Sequence, residues 1–352
     1  MGRLAAALCL SLLGATLPAQ AGPTLGVNQA WVEGSFGRDL TTDWRPEEWR
    51  RVLARSRACG ARVVRVWLFE GAPFEGVTWD LHRPTGLVPG FTDHVRALSA
   101  MAREEGLTIY WTLFDGNWPQ HAPSQLARDQ GWNVFNDRWG YGDEFRRVVL
   151  GPVLEAIMSE PGSAWALDLI NEVQGSLSGQ GAFEQGWTGA RRFVREWAAF
   201  VKQRAPALRV TASAGWGSAS WDILLGRYDG LGLDFVDLHV YSDDGLGWLC
   251  RQAAARCRAR GVPLVLGEVG QKSKTVDDAL QARVLERFLR HAEEEGALAV
   301  LPWRLEDRQP GQTHFSLWRG DQPRAAVAVL QGFAARWQPS LVTPGVVGSL
   351  PD

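Results

Sequence analysis

The chain has 352 residues, with 37 basic against 39 acidic side chains and a formal charge of −2, so no long-range field draws it to nucleic acid or to an acidic membrane. Its length allows one large or two ordinary domains and does not choose between them. Eighteen tryptophans are more than a core of this size needs. Most should still be buried, but flat indole faces suit the apolar faces of sugar rings, so the surplus points to a carbohydrate ligand.

In chain order, Met1-Gly2-Arg3 precedes an apolar run from Leu4 to Leu17 and then Ala19-Gln20-Ala21. That is the pattern of a secretory signal over residues 1–21, cleaved after Ala21, which would send the protein to an extracellular or periplasmic space. The run falls short of the roughly 20 residues that cross a bilayer, and nothing later approaches that length, so no membrane span is expected. Cleavage leaves Cys59, Cys250 and Cys257, an odd number in a compartment where disulfides form. Within one unbroken helix, Cys250 and Cys257 would sit about 10 Å apart. A disulfide between them therefore requires a helix that begins after Cys250.

From residue 25 onward, short apolar runs alternate with longer amphipathic stretches, the mark of successive βα units and a parallel sheet. Strands are expected at Thr24–Trp31, Arg62–Phe69, Leu107–Phe114, Ala164–Asn171, Arg209–Ala214, Phe235–Tyr241, Pro263–Glu268 and Leu298–Trp303. Helices are expected at Pro46–Cys59, Thr92–Glu105, Glu144–Ser159, Thr188–Arg204, Ser218–Arg227, Leu246–Arg258, Val276–Glu295 and Arg324–Trp337. Gly60, Gly106, Gly261 and Gly296 stand where left-handed C-caps would end helices. Eight units without a linker read as a single (β/α)8 TIM barrel over residues 22–342, followed by a Gly/Pro-rich tail over 343–352. The loop Asp115–Gly142 carries Trp118, Trp132, Trp139 and Tyr141.

Two strands end in a glutamate: Trp165-Ala-Leu-Asp-Leu-Ile-Asn-Glu172 and Pro263-Leu-Val-Leu-Gly-Glu268. Barrel enzymes keep their chemistry at strand C-termini, and two carboxyl groups facing one cavity are what cleavage of a glycosidic bond requires. Side chains alternate along a strand, so Arg65 shares a face with Val63 and Trp67, and His239 shares one with Tyr241. A closed barrel would bring Arg65, Asn171, Glu172, His239, Tyr241, Glu268 and Trp303 to one mouth, with Trp31 and Trp118 as further sugar contacts. Glu33, Glu70, Asp115, Glu306 and Asp307 lie near strand ends and are expected to shape the cleft.

This ordered set resembles the clan A retaining β-glycoside hydrolases, which include the family 5 cellulases and mannanases: Arg on strand 2, Asn-Glu on strand 4, His-x-Tyr on strand 6, Glu on strand 7 and Trp on strand 8. Family 5 commonly has Asn-Glu-Pro where this chain has Asn171-Glu172-Val173, so the likeness is to the clan. The resemblance implies that Glu172 is the general acid/base and Glu268 the nucleophile. Asn171 would bind the sugar 2-hydroxyl, Arg65 and Tyr241 would hold Glu268 ionised, Trp303 would floor the ring, and His239 would line the site near Tyr241. It further implies a monomeric retaining β-glycosidase without metal or cofactor, cleaving a polysaccharide or oligosaccharide of β-mannan or β-glucan type. The aromatic third loop favours endo action over the exo alternative.

A metal-dependent barrel hydrolase is disfavoured, since six histidines include no His-x-His pair. A non-catalytic carbohydrate-binding barrel should lack one of the two glutamates. Neither a Walker loop nor a Gly-x-Gly-x-x-Gly turn follows a strand, which disfavours a nucleotide ligand.

Overall fold

The computed structural model describes residues 22–32, 38–70, 74–177, 181–241, 247–271, 277–306 and 315–337. The expected signal, the tail, Glu33 and Asp307 lie outside the described residues. The barrel strands are β1 (Thr24–Asn28), β2 (Val63–Phe69), β3 (Thr108–Phe114), β4 (Ala164–Asp168), β5 in two pieces (Arg209–Thr211 and Ser213–Ala214), β6 (Val236–Tyr241), β7 (Leu264–Gly270) and β8 (Ala299–Pro302). Every pairing between neighbours is parallel, and β1 pairs with both β2 and β8. The first piece of β5 bonds to β4 and the second to β6, which closes the ring. All seven residues of β2 are buried, as a parallel strand covered on both faces demands.

Helices α1 (Pro46–Ala58), α2 (Phe91–Glu104), α3 (Gly151–Met158), α4 (Trp187–Arg204), α5 (Ala219–Leu224), α6 (Trp248–Ala259), α7 (Asp278–Glu294) and α8 (Ala325–Trp337) alternate with the strands. Proline at the start of α1, with Glu47 and Glu48 in its first turn, suits the orphan N–H groups and positive end of a helix N-terminus. The α7 N-terminus is capped by the Asp277 side chain, which accepts from the Leu280 N–H. Gly60 and Gly106 adopt φ of 85° and 68°, the left-handed conformation expected of helix ends.

Three features were not visible as periodicity. A hairpin of Val77–Asp80 with Arg83–Leu87 interrupts the second unit, and two helices, Trp118–His121 and Gln125–Phe135, fill the loop after β3. A short hairpin of Trp318–Arg319 with Gln322–Pro323 follows β8. The strand β4 stops at Asp168 rather than Asn171. The Asp168 carboxylate takes the N–H groups of Ile170 and Ser213 at 3.2 and 3.0 Å, diverting donors from a regular ladder. Asn171 then pairs with Asp115 in a single bridge.

Below the polar layer the barrel is plugged by Val63, Tyr110, Trp165, Ala166, Phe235, Val265, Ala299 and Leu301, so the interior is packed rather than hollow. Trp118 corrects an expectation: it is 1% exposed, with its ring centroid 5.5 Å from that of Phe74 and 5.3 Å from that of Phe135. It anchors the loop from beneath and offers no face to a sugar. The disulfide condition also fails, because α6 begins at Trp248 and contains both cysteines. Cys59, Cys250 and Cys257 are free and buried, and burial pushes their thiols up to about 11, 12 and 11. Among the described residues no helix is long and apolar enough to cross a membrane.

Three thiols should therefore titrate in the chain from Gly22 onward once it is denatured without reductant, while the folded protein reacts slowly with the same reagent. A count of one would mean that two of them are bridged.

Candidate active site

Arg65 sits at the barrel centre with no solvent exposure. Its Nη1 donates to Glu268 Oε1 at 2.7 Å and to Asn28 Oδ1 at 3.3 Å, and its Nη2 to Asp168 Oδ2 at 2.7 Å and Asn171 Oδ1 at 2.8 Å. One guanidinium thus ties together the mouths of β1, β2, β4 and β7. Burial works against its charge, but Glu268 and Asp168 outweigh that and hold it above its ordinary value.

Glu268 is held from both sides, Oε1 by Arg65 and Oε2 by the Tyr241 hydroxyl. Burial pushes its carboxyl above the ordinary range and Glu172 adds to the push, while His239, Arg65 and the Tyr241 hydroxyl oppose them. Arg65 and Tyr241 do act in the direction expected, favouring the ionised form, but desolvation is the larger effect and the net shift is upward. Tyr241 itself stays a phenol, since burial and the facing Glu268 raise it far above its usual value.

Glu172 leaves the strand path with φ of 52°, a left-handed conformation that costs a non-glycine residue about 1–2 kcal/mol. Its N–H donates to Ser213 Oγ at 2.9 Å, and its carboxyl lies against Gly215, where a Cβ would come within 2.1 Å of Glu172 Cδ. That glycine makes room for the acid. His239 Nδ1 is 3.1 Å from Glu172 Oε1 and 3.6 Å from Glu268 Oε1. Burial alone would lower the His239 pKa, but Glu268, Asp237 and Glu172 push it up to about 10.

Trp31, Trp67 and Trp303 stand together on the β1, β2 and β8 side, with ring centroids 5.5 to 6.3 Å apart. Trp31 and Trp303 are thus neighbours, and Trp67 completes a wall of three indoles. On the opposite side a cavity of about 360 Å³ opens from His239 and Tyr241 past Trp216 and Trp248, residues that are 48% and 60% exposed. Trp216 follows Gly215 with φ of 64°. These two indoles were not singled out in the sequence, because neither belongs to an apolar run.

Asp168 and Asp237 were also missed. Each is a charge inside an otherwise apolar strand, and that was the signal available. Asp115 and Glu70 are buried at strand ends, where burial raises Asp115 to about 6 and puts Glu70 well above its ordinary value. Glu306 instead pairs with Arg51 and Arg55 at 3.2 and 2.6 Å, a structural role. One ligand-type atom each of Glu172, His239 and Glu268 lie within 4.8 Å of one another. Both Glu268 oxygens already accept from Arg65 and Tyr241, the arrangement of a proton and charge network.

Fold and site together define a (β/α)8 barrel with two carboxyl groups from β4 and β7 facing one another over a buried arginine. No protein-family model matches the chain, and no curated protein matches it. Solved structures match across the barrel. GH5_18 from Streptomyces cattleya, in complex with Manb1-4GlcNAc, is 18% identical at a TM-score of 0.72, covering 91% of this chain and 82% of that one. The β-mannanase of the blue mussel Mytilus edulis is 20% identical at 0.64, covering 86% and 94%. An exo-β-1,4-mannosidase from Opitutaceae bacterium strain TAV5 is 16% identical at 0.66, covering 90% and 60%. At 16–20% identity the likeness to these structures is one of fold.

Replacing Arg65 by Met should lower unfolding free energy by about 3–5 kcal/mol, read by denaturant titration, because two buried carboxylates lose their counter-charge. His239 generates a pH dependence. Its folded value lies above its ordinary 6.5 at about 10, so the stability it adds is complete below 6.5 and disappears as pH rises through 10. The stability advantage of wild type over His239→Gln should shrink across that window, and a constant difference would contradict the charged histidine.

Proposed function

We propose that the protein is a retaining β-glycoside hydrolase that cleaves a β-linked polysaccharide or oligosaccharide by double displacement, with Glu172 as acid/base and Glu268 as nucleophile. The observation that carries this reading is the closeness of the two carboxyl groups: one oxygen of each, together with a His239 nitrogen, lie within 4.8 Å of one another. Retaining enzymes hold their carboxyls about 5–5.5 Å apart, whereas inverting enzymes leave roughly 6.5–9.5 Å for a water. The surroundings agree with the roles: Glu268 is aimed by Arg65 and Tyr241, and Glu172 keeps partial exposure beside His239.

The substrate class is β-mannan or β-glucan, with mannan favoured by the mannanases and the mannosidase among the fold neighbours. Endo action is supported by the exposed tryptophans along the cavity, which offer stacking faces beyond the reacting sugar. An exo-acting β-glycosidase is the second reading, favoured by the exo-mannosidase of the same fold and by the disaccharide-bound GH5_18. Product sizes on mannan, glucomannan and mixed-linkage glucan separate the two. Secretion after loss of residues 1–21 is part of the proposal, and mass spectrometry of exported protein would find Gly22 at its N-terminus.

The roles are tested with an aryl β-glycoside. The first product seen by proton NMR should be the β-anomer, and Glu268→Ala should abolish turnover because no glycosyl-enzyme can form. Glu172→Ala should still form the intermediate from a good leaving group and accumulate it; azide should then restore turnover and give a β-glycosyl azide. An α-azide from Glu268→Ala, with Glu172→Ala unaffected by azide, would exchange the two assignments.

A further inference from the structure

Asp237 lies on β6 two residues before His239, fully buried beneath the site. Its Oδ2 accepts from the Tyr110 hydroxyl at 2.6 Å. Its Oδ1 faces His239 Nε2 at 3.8 Å, and neither of these two atoms has a hydrogen-bond partner among the described residues. Residue 267 must be glycine for the carboxylate to fit, since a Cβ there would come within 2.0 Å of Oδ1. The ring is therefore placed between carboxylates: Asp237 at Nε2, and Glu172 and Glu268 at Nδ1 at 3.1 and 3.6 Å.

A bare ring nitrogen facing a carboxylate oxygen in a dry interior would set lone pair against lone pair. A neutral ring could put its hydrogen toward Asp237 and accept at Nδ1 from a protonated Glu172, but it would then set a bare nitrogen against the ionised Glu268; the doubly protonated ring puts a hydrogen toward Asp237 and toward whichever glutamate is ionised. We propose that Asp237 is a positioning residue that keeps both nitrogens of His239 protonated, so that one fixed N–H faces Glu172 and Glu268 together and accompanies negative charge as it passes between them. The inference rests on the double-displacement reading above. In its first step the Glu172 proton goes to the leaving oxygen, the C1–O bond breaks, and a Glu268 oxygen bonds to C1. The negative charge thereby moves from Glu268 to Glu172, and His239 neither gives nor takes a proton. In the second step water attacks C1 as the bond between C1 and the Glu268 oxygen breaks, one proton of the water passes to Glu172, and the negative charge returns to Glu268. A cation already in contact with both carboxylates stabilises each state without moving, which is electrostatic preorganisation.

The other groups tied to these carboxylates are Arg65 on β2, which bonds Glu268 and Asp168 of β4, Tyr110 on β3, which donates to Asp237, and Tyr241 on β6 itself, which donates to Glu268. Arg65 is spoken for by Glu268 and Asp168, which leaves Asp237 as the carboxylate aimed at Nε2. The raised pKa of His239, to which Asp237 contributes, agrees with the geometry.

The test is histidine-labelled nitrogen NMR of the full chain from pH 5 to 9, with His239→Gln to assign the signal. In wild type His239 should remain doubly protonated at pH 8; a neutral ring at pH 7 overturns the proposal. In Asp237→Asn it should be neutral by pH 8, and kcat on an aryl β-glycoside should fall at least about tenfold, the equivalent of one pKa unit of lost stabilisation, with KM changing less. An unchanged titration in Asp237→Asn overturns the proposal. Should that variant not fold, Tyr110→Phe decides. Freed from the phenol, Asp237 should hold the proton as firmly as before, so a fall of a unit or more would place the clamp in Tyr110 and reject Asp237. The NMR readout needs no turnover: failure of the enzyme on every β-glycoside, with His239 titrating as stated, would remove the functional reading alone.

Discussion

The barrel's mouth depends on one buried cation. Arg65 carries four polar partners from three other strand ends with no solvent exposure, and desolvating a charge this fully is tolerable only when its partners are close and well aligned. Closure of the sheet supplies that alignment, because parallel pairing fixes β1 beside β2 and β7 beside β8. The dependence runs both ways. Without the guanidinium, Asp168 and Glu268 would be buried carboxylates with less compensation, and the acids could not occupy these positions.

Around that cation the interior is layered by chemistry. Trp165, Phe235 and their neighbours seal the lower end, so water cannot reach the polar layer from below. Above them Arg65, Asp168, Asp237, Tyr110 and His239 alternate in charge. Higher still stand Glu172 and Glu268, with three indoles clustered on the β1, β2 and β8 side and Trp216 and Trp248 lining the cavity past His239 and Tyr241. A dry layer strengthens each electrostatic contact inside it and fixes dipoles before any substrate arrives. Small residues make this layering possible. Gly215 leaves space for Glu172 and Gly267 for Asp237, and at both positions a methyl group would collide with the carboxylate.

Much of this was legible in the sequence, for identifiable reasons. Eight buried parallel strands read as near-continuous apolar runs, so β2, β3 and β7 were recognisable within one or two residues of their ends. The strand-end glutamates stood out because each terminates such a run. What escaped was set by tertiary contact. Trp118 looks like a cleft residue in a loop full of aromatics, yet that loop folds into two helices and packs its indole inward against Phe74 and Phe135. Cys250 and Cys257 turned on whether α6 begins before or after Cys250, and element boundaries are where local pattern says least. Asp168 was hidden inside a strand predicted to run on to Asn171. Only the structure shows its side chain taking the N–H groups of Ile170 and Ser213 and so ending the strand early.

Asp168 and Asp237 carry the wider lesson. In a chain of balanced charge most acids are solvated, and a single aspartate says nothing; inside a fully buried strand, an aspartate requires a buried donor. Asp168 finds Arg65 and two backbone N–H groups, and Asp237 finds the Tyr110 hydroxyl with His239 Nε2 beyond it. Each therefore points across the barrel to a basic side chain next to the two glutamates: Arg65 bonds Glu268, and His239 faces both Glu172 and Glu268. The glutamate pair is thus backed by a second acid pair deeper in the barrel, with Arg65 between Glu268 and Asp168 and His239 between both glutamates and Asp237. Such an arrangement holds Glu172 and Glu268 close together in spite of their mutual repulsion, which is the condition the proposed double displacement would impose on its two carboxyl groups.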